Sequence, residues 1–140
     1  MTEHTLSIIK PDATKRNITG AVNAYFEKAG LRVVAQKMLK LTVQQASAFY
    51  AEHKERPFFN ELVENITDGY VVVQVLQGND AVSMNRKIMG AYPDPAQCEV
   101  GTIRRDLGVD ISKNTVHGSD SIESAKREIA FFFAAIEIMQ

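Results

Sequence analysis

A chain of 140 residues, 45% hydrophobic and 24% charged, is the right size and balance for one folded domain with one core, spanning 1–140. A formal net charge of -1 excludes the global basic field behind nonspecific nucleic-acid binding, so any anion site has to be built locally and no stable nucleic-acid partner is expected. The single cysteine, Cys98, allows no internal disulfide, no signal peptide precedes the first apolar run, and no apolar stretch reaches the ~20 residues needed to cross a bilayer; a cytoplasmic protein without membrane association is expected.

Thr5 to Ile9 is a short β-prone run that Pro11 terminates, which leaves Lys10 at a strand end. Asp12 to Asn17 is polar and reads as loop. Ile18 to Ala29 carries Val22, Tyr25, Phe26 and Ala29 on one helical face and stops at Gly30. Leu31 to Leu41 reads as the second strand. Thr42-Val43-Gln44-Gln45 is a capping box opening a helix with Ala46, Phe49, Tyr50 and His53 on one face. Pro57 suits the first turn of the next helix, in which Phe59, Leu62, Val63 and Ile66 are core positions. Phe58 is offset from that face; an exposed phenylalanine there either stacks on a nucleobase or staples the helix, and spacing favours the staple.

Tyr70 to Leu76 is apolar at nearly every position, as expected of a central strand with both faces covered. Asp80 is placed to cap a helix running to Met89, with Arg86 in its last turn and Gly90 as its stop. No period holds from Ala91 to Thr115, and a loop of that length in a compact domain is usually functional. Within it, Arg104 and Arg105 are adjacent, so only one is expected to serve a ligand. Asn114 to His117 reads as a short last strand. Asp120 is placed to cap a final helix with Ala125, Ile129, Phe132 and Phe133 as its buried stripe and Glu128 facing back toward the last strand. Without the extra helices the order is β-α-β-β-α-β: a ferredoxin-like α/β sandwich, with a four-stranded antiparallel sheet, helices on one face, and a long loop between the Arg86 helix and the last strand.

The chemistry centres on Asn114-Thr115-Val116-His117-Gly118-Ser119-Asp120-Ser121. A glycine after His117 lets another group approach the backbone, and Ser119 with the free amides of a helix start can bind an anion or orient the imidazole. A carboxylate such as Glu128 would fix the tautomer and raise the basicity of the attacking nitrogen. There is no Gly-x-x-x-x-Gly-Lys-Ser/Thr loop, no Gly-x-Gly-x-x-Gly and no zinc-type spacing, and His4, His53 and His117 are too scattered for a metal triad. Phosphate would therefore be held by point cations: Lys10, Arg86 and one of Arg104 or Arg105.

Four segments together resemble the nucleoside diphosphate kinase family: Thr5 to Asp12, Phe49 to Phe59, Gly101-Thr102-Ile103-Arg104, and Asn114-x-x-His117-Gly118-Ser119-Asp120-Ser121. The resemblance covers essentially the whole chain, and the short C-terminal end is similar to the bacterial type. It implies a ping-pong transfer of the γ-phosphate of a nucleoside triphosphate, mainly ATP, to a nucleoside diphosphate such as GDP through a phosphohistidine at His117, with ribo- and deoxynucleotides both accepted. It further implies that Glu128 and Ser119 position the ring and that Tyr50 lies close to it. Lys10 would reach the γ-phosphate and ribose, Asn114 the sugar, and Arg86 and Arg104 the phosphates. Phe58 would stack on the base above Leu62, which reassigns it from the staple. Mg²⁺ would arrive on the nucleotide phosphates with few or no protein ligands, and the assembly would be a homo-oligomer, tetramer or hexamer, built from dimers. Two rival classes are a nucleotide- or RNA-binding module without turnover and a mainly structural interaction protein.

One run departs from the family pattern. The family reads Gly-Ala-Thr-Asn/Asp-Pro after the Arg86 helix, its threonine meeting a phosphate; here Gly90-Ala91-Tyr92-Pro93-Asp94-Pro95 is one residue longer and Tyr92 stands in the threonine's place. A phenol has a different reach, so weaker triphosphate binding is expected. Tyr92→Thr should tighten it in a direct titration, and unchanged affinity would mark the substitution as silent.

Overall fold

The computed structural model describes residues 2–139. Strand β1 (Thr2–Ile9) starts earlier than its apolar run and ends before Lys10, as Pro11 requires. Pro11 then opens a short helix, α1 (Pro11–Thr14), where the sequence reads as loop; four residues are too few to display a helical period, but proline at the first position and Asp12 in the first turn both favour it. Helix α2 (Thr19–Lys28) buries Val22 and Phe26, and Gly30 ends it at φ +92°. Strand β2 (Arg32–Leu39) follows. Helix α3 (Val43–Phe49) carries the expected capping box: Gln45 N–H donates to Thr42 Oγ1 at 3.1 Å and Thr42 N–H to Gln45 Oε1 at 2.9 Å.

Helix α4 (Phe59–Thr67) begins beyond Pro57, and Phe58 is its N-cap residue, 44% exposed rather than stapled. Strand β3 (Val71–Asn79) is buried at every position from Val71 to Leu76, so it is covered on both faces. Helix α5 (Ala81–Met89) does not use Asp80 as a side-chain cap, because Asp80 sits in the left-handed region at φ 51°; the carboxylate of Glu3 on β1 accepts from Val82 N–H instead. The 91–115 stretch is not plain loop. It contains a 3₁₀ turn at Pro95–Gln97 and helix α6 (Ile103–Leu107), capped by Thr102. Strand β4 (Val116–Gly118) is followed by helix α7 (Ile122–Phe132), capped by Ser121 and not by Asp120.

The sheet order is β2-β3-β1-β4 with every pair antiparallel, the ferredoxin-like arrangement. Helices cover both faces, not one. Leu6, Ile8, Val73 and Val75 pack with Phe49, Val63, Ile66 and Phe132 on one side. Ile9, Val72, Leu76 and Val116 pack with Val22, Phe26, Met89 and Ile103 on the other. The register Ile8↔His117 puts His117 on the first side, while Gly118, opposite Ser7, faces α5. A Cβ on Gly118 would lie 2.3 Å from Asn85 Nδ2 and 2.5 Å from Met89 Sδ. Gly118→Ala is therefore expected to cost about 1–3 kcal/mol through overpacking, read as a lower urea midpoint; unchanged stability would mean that β4 is not seated on α5.

Candidate active site

His117 lies on the short edge strand β4 with its side chain 23% exposed. Its Nε2 is 3.0 Å from Glu128 Oε1 on α7, and the same oxygen accepts from Ser119 Oγ at 2.9 Å. An ionised carboxylate only accepts, so Nε2 carries the proton and Nδ1 is the nitrogen with a free lone pair. Burial alone would raise the Glu128 carboxyl, but the hydrogen bond from His117, the Ser119 hydroxyl and the Arg127 cation more than offset it and hold it below its usual range. Glu128 stays a carboxylate at the Nε2 edge of the ring.

Aromatic edges surround the imidazole. Phe49 meets it at a centroid distance of 5.5 Å and 72°, and Tyr50 at 6.2 Å and 83°. Tyr50 is buried, and that burial, with Glu128 nearby, pushes its phenol well above the ordinary value. The rings continue outward from Tyr50 to His53 at 6.3 Å and from His53 to Phe58 at 5.9 Å, so a row of rings links His117 to the exposed Phe58 at the start of α4. Leu62 is half-buried on the same helix, against the core.

The cations lie on the neighbouring segments. Lys10 Nζ donates to Asn114 Oδ1 at 2.8 Å and to the Ser112 carbonyl at 2.9 Å. Asn114 Nδ2 in turn donates to the carbonyls of Pro93 and Ile111. Arg86 donates to Gly118 O at 3.3 Å, directly after the histidine. Arg104 is buried and donates to the carbonyls of Gly90, Tyr92 and Val116, while its Nε has no partner. Arg105 is exposed and binds Ala96 O and Cys98 O, so of the adjacent arginines Arg104 is the one turned inward. Tyr92 enters this network through its backbone carbonyl; its side chain is 52% exposed.

Burial, with Arg104 adding to it and Asp12, Asp110 and Glu61 opposing, pulls Lys10 down to about 8. Burial and then the adjacent Arg86 charge pull Arg104 down to about 10. Two cations are thus held in surroundings that disfavour positive charge, bound mainly to neutral carbonyls, which a polyanion would relieve. Among the described residues no group of three or more His, Cys, Asp or Glu side chains is arranged to hold a metal ion.

Sequence reasoning missed three contributors. Asp12 Oδ2 accepts from Thr115 N–H at 3.1 Å and steadies a β-branched residue at φ 79°. Phe49 reads correctly as core but also touches His117. The Ser112 carbonyl is a main-chain acceptor that no side-chain pattern reveals.

Residues 3–138 match the family profile described as nucleoside diphosphate kinase. Over 138 residues the chain is 63% identical to the nucleoside diphosphate kinase of Acidiphilium cryptum, covering 99% of this chain and 98% of that protein. The chain belongs to the nucleoside diphosphate kinase family. The enzyme of Paracoccus denitrificans is 60% identical over 98% of this chain and 97% of its own. Among solved structures, the Aquifex aeolicus nucleoside diphosphate kinase matches with a TM-score of 0.95 at 42% identity, covering 99% of this chain and 100% of that one. That of Halobacterium salinarum, solved in complex with CDP, matches at 0.94 and 37% identity, covering 100% and 93%. The activity is accordingly that of a nucleoside diphosphate kinase, which sets aside the non-enzymatic alternatives. No helix among the described residues of this kinase is long and apolar enough to cross a membrane.

Lys10 of the kinase gives a pH test. Between about 8 and its ordinary 10.5 the folded state holds fewer protons than the unfolded state, so stability rises with pH across that window. The burial penalty is present in full below pH 8 and relieved above it, by an amount on the order of 3 kcal/mol at most. Denaturation of ligand-free protein should show this rise, and Lys10→Met should flatten it; equal slopes would mean that Lys10 titrates normally.

Proposed function

We propose that the chain is a single catalytic domain, residues 1–140, that transfers the γ-phosphate of a nucleoside triphosphate, chiefly ATP, to a nucleoside diphosphate through His117. The observation that carries this reading is the 3.0 Å contact between His117 Nε2 and Glu128 Oε1, which fixes the proton on one ring nitrogen and leaves the lone pair on the other. Nδ1 attacks the γ-phosphorus. The bond from phosphorus to the bridging oxygen breaks, and the diphosphate leaves with that bond's electrons. As Nδ1 gives up its lone pair the ring gains positive charge, which Glu128 stabilises through the Nε2 proton. A second diphosphate takes the phosphoryl group by the reverse path.

Lys10, Arg86 and Arg104 exchange carbonyl partners for phosphate oxygens. Lys10 and Asn114, already bonded to each other, take the ribose between them. Phe58 stacks on the base with Leu62 beneath, and because every base has a π-face this selects little among bases. Ser119 holds Glu128 and assists the transferred phosphate. Tyr50 walls the ring, and Tyr92 stands at the phosphate end through its main chain, its carbonyl accepting from Arg104. The site's own donors are cations, which fits Mg²⁺ carried in on the nucleotide's phosphate oxygens. Lys10, Arg86 and Arg104 hold the phosphate oxygens, and Mg²⁺ carried on the nucleotide would supply further charge neutralisation there. The CDP complex of the Halobacterium relative supports nucleotides as the substrates. A cytoplasmic setting and a homo-oligomer of dimers, tetramer or hexamer, complete the reading.

Incubation with γ-labelled ATP and Mg²⁺ should yield an acid-labile, alkali-stable phosphoprotein that discharges to any added diphosphate. Glu128→Gln should slow labelling on the order of a hundredfold by freeing the ring's orientation. No label on the wild type, or equal label on His117→Ala, would overturn it.

A further inference from the structure

Glu128 has two oxygens, and only Oε1 is accounted for by His117 and Ser119. Oε2 lies 3.5 Å from Arg127 Nη2. That guanidinium is spread across three groups: Nη2 also donates to Glu52 Oε1 at 2.9 Å, and Nη1 to the backbone carbonyl of Phe49 at 3.4 Å. Phe49 is the last residue of α3, is 2% exposed, and sets its ring against His117. The circuit runs from Arg127 to Glu128, to His117, to Phe49 and back to Arg127. Neither Phe49 nor Arg127 has a part in the transfer described above.

We propose that Phe49 and Arg127 form a bracket that positions the His117–Glu128 pair, Phe49 fixing the plane of the imidazole and Arg127 fixing the carboxylate by its outer oxygen. The inference rests on the phosphohistidine reading. Phe49 acts by contact: edge-on rings at both Phe49 and Tyr50 leave the imidazole one plane in which Nε2 meets Oε1. Arg127 acts by geometry and charge. With Oε1 shared between two donors, the guanidinium charge 3.5 Å from Oε2 opposes rotation of the carboxylate about its terminal bond. Glu52 lies in the 3₁₀ turn Ala51–His53, on the way to Phe58, so the same guanidinium also ties the segment leading to the base shelf to the nucleophile's partner.

The groups facing Glu128 are His117 and Ser119 from β4 and the turn after it, Tyr50 from the end of α3, and Arg127 from its own helix, with Glu52 behind Arg127. Only Arg127 carries a permanent positive charge. Removing it raises the carboxylate's affinity for a proton, so Glu128 is neutralised at higher pH and loses its hold on the ring N–H sooner as the pH falls.

The test is the pH profile of His117 phosphorylation by γ-labelled ATP, with nucleotide KM measured alongside, in Arg127→Gln, Arg127→Lys and Phe49→Leu. For Arg127→Gln the acid limb should move up by about half a pH unit, as expected of a partly solvated charge near 3.5 Å. The alkaline plateau and KM should stay within about twofold, and Arg127→Lys should restore the wild-type limb. Phe49→Leu keeps an apolar core residue and should lower the labelling rate about tenfold at every pH with KM unchanged, as misorientation predicts. Coincident acid limbs for wild type and Arg127→Gln would overturn the bracket, as would losses in Arg127→Gln and Arg127→Lys that are equal and track thermal stability. So would a Phe49→Leu effect confined to KM. An unlabelled wild type would instead overturn the phosphohistidine reading.

Discussion

Glu128 is a carboxylate taken out of water and kept charged by what it accepts. Its burial penalty is met by the His117 ring proton, the Ser119 hydroxyl and the Arg127 guanidinium, drawn from β4, the turn after it and α7. Removing one partner from a buried charge leaves the others to carry an uncompensated ion, which is why such groups tie elements together more firmly than their net stabilisation implies. The placement of α7 against β4 is thus part of the chemistry. Ser121 as the cap starts the helix so that Ala125, Glu128 and Phe132 fall on its buried side, with the carboxylate at the level of the histidine.

The strand beneath is held with equal care. Lys10 N–H donates to Thr115 O at 2.9 Å, so β1 continues to grip the chain one residue before β4 begins. Thr115 takes a conformation that β-branched residues avoid, and Asp12 accepts its N–H. Such strain persists only where the surroundings over-determine it, and it brings the chain round so that Asn114 faces Lys10 while His117 faces Phe49. The close seat of Gly118 on Asn85 and Met89 removes the remaining freedom. The arginines then find carbonyls already in place, so their guanidinium groups are held at the site by partners that a phosphate would displace.

Much of this is legible in the sequence because it is local. The nearly continuous apolar run of β3, the Thr42–Gln45 box and the stop at Gly30 each depend on neighbours within a few residues. The misses are cases where tertiary placement decides. Helix α1 is too short to show a period. Asp120 and Ser121 can both cap, and the seat of β4 chooses the serine. Asp80 is displaced by Glu3, which arrives from another strand. At the site, the histidine-glycine-serine run indicates a nucleophile beside an anion-binding turn from residue types alone. Asp12 acting on Thr115 across 103 residues of chain is invisible to any spacing argument. Phe49 is harder still, because a residue can fill the core and touch the His117 ring at once, and hydrophobic periodicity reports only the first role.

β4 has three residues and lies at the margin of the sheet, paired on one side to β1 alone. A histidine on β3 would have a strand on both flanks, whereas this one has a strand on one flank only and a partly exposed side chain. That suits a reaction in which two different nucleotides come and go by one route, but the same opening admits solvent. On the proposed phosphohistidine route, a phosphoryl group held at this margin stays intact only if water there is poorly aligned for attack, so its lifetime would be governed by orientation and not by enclosure.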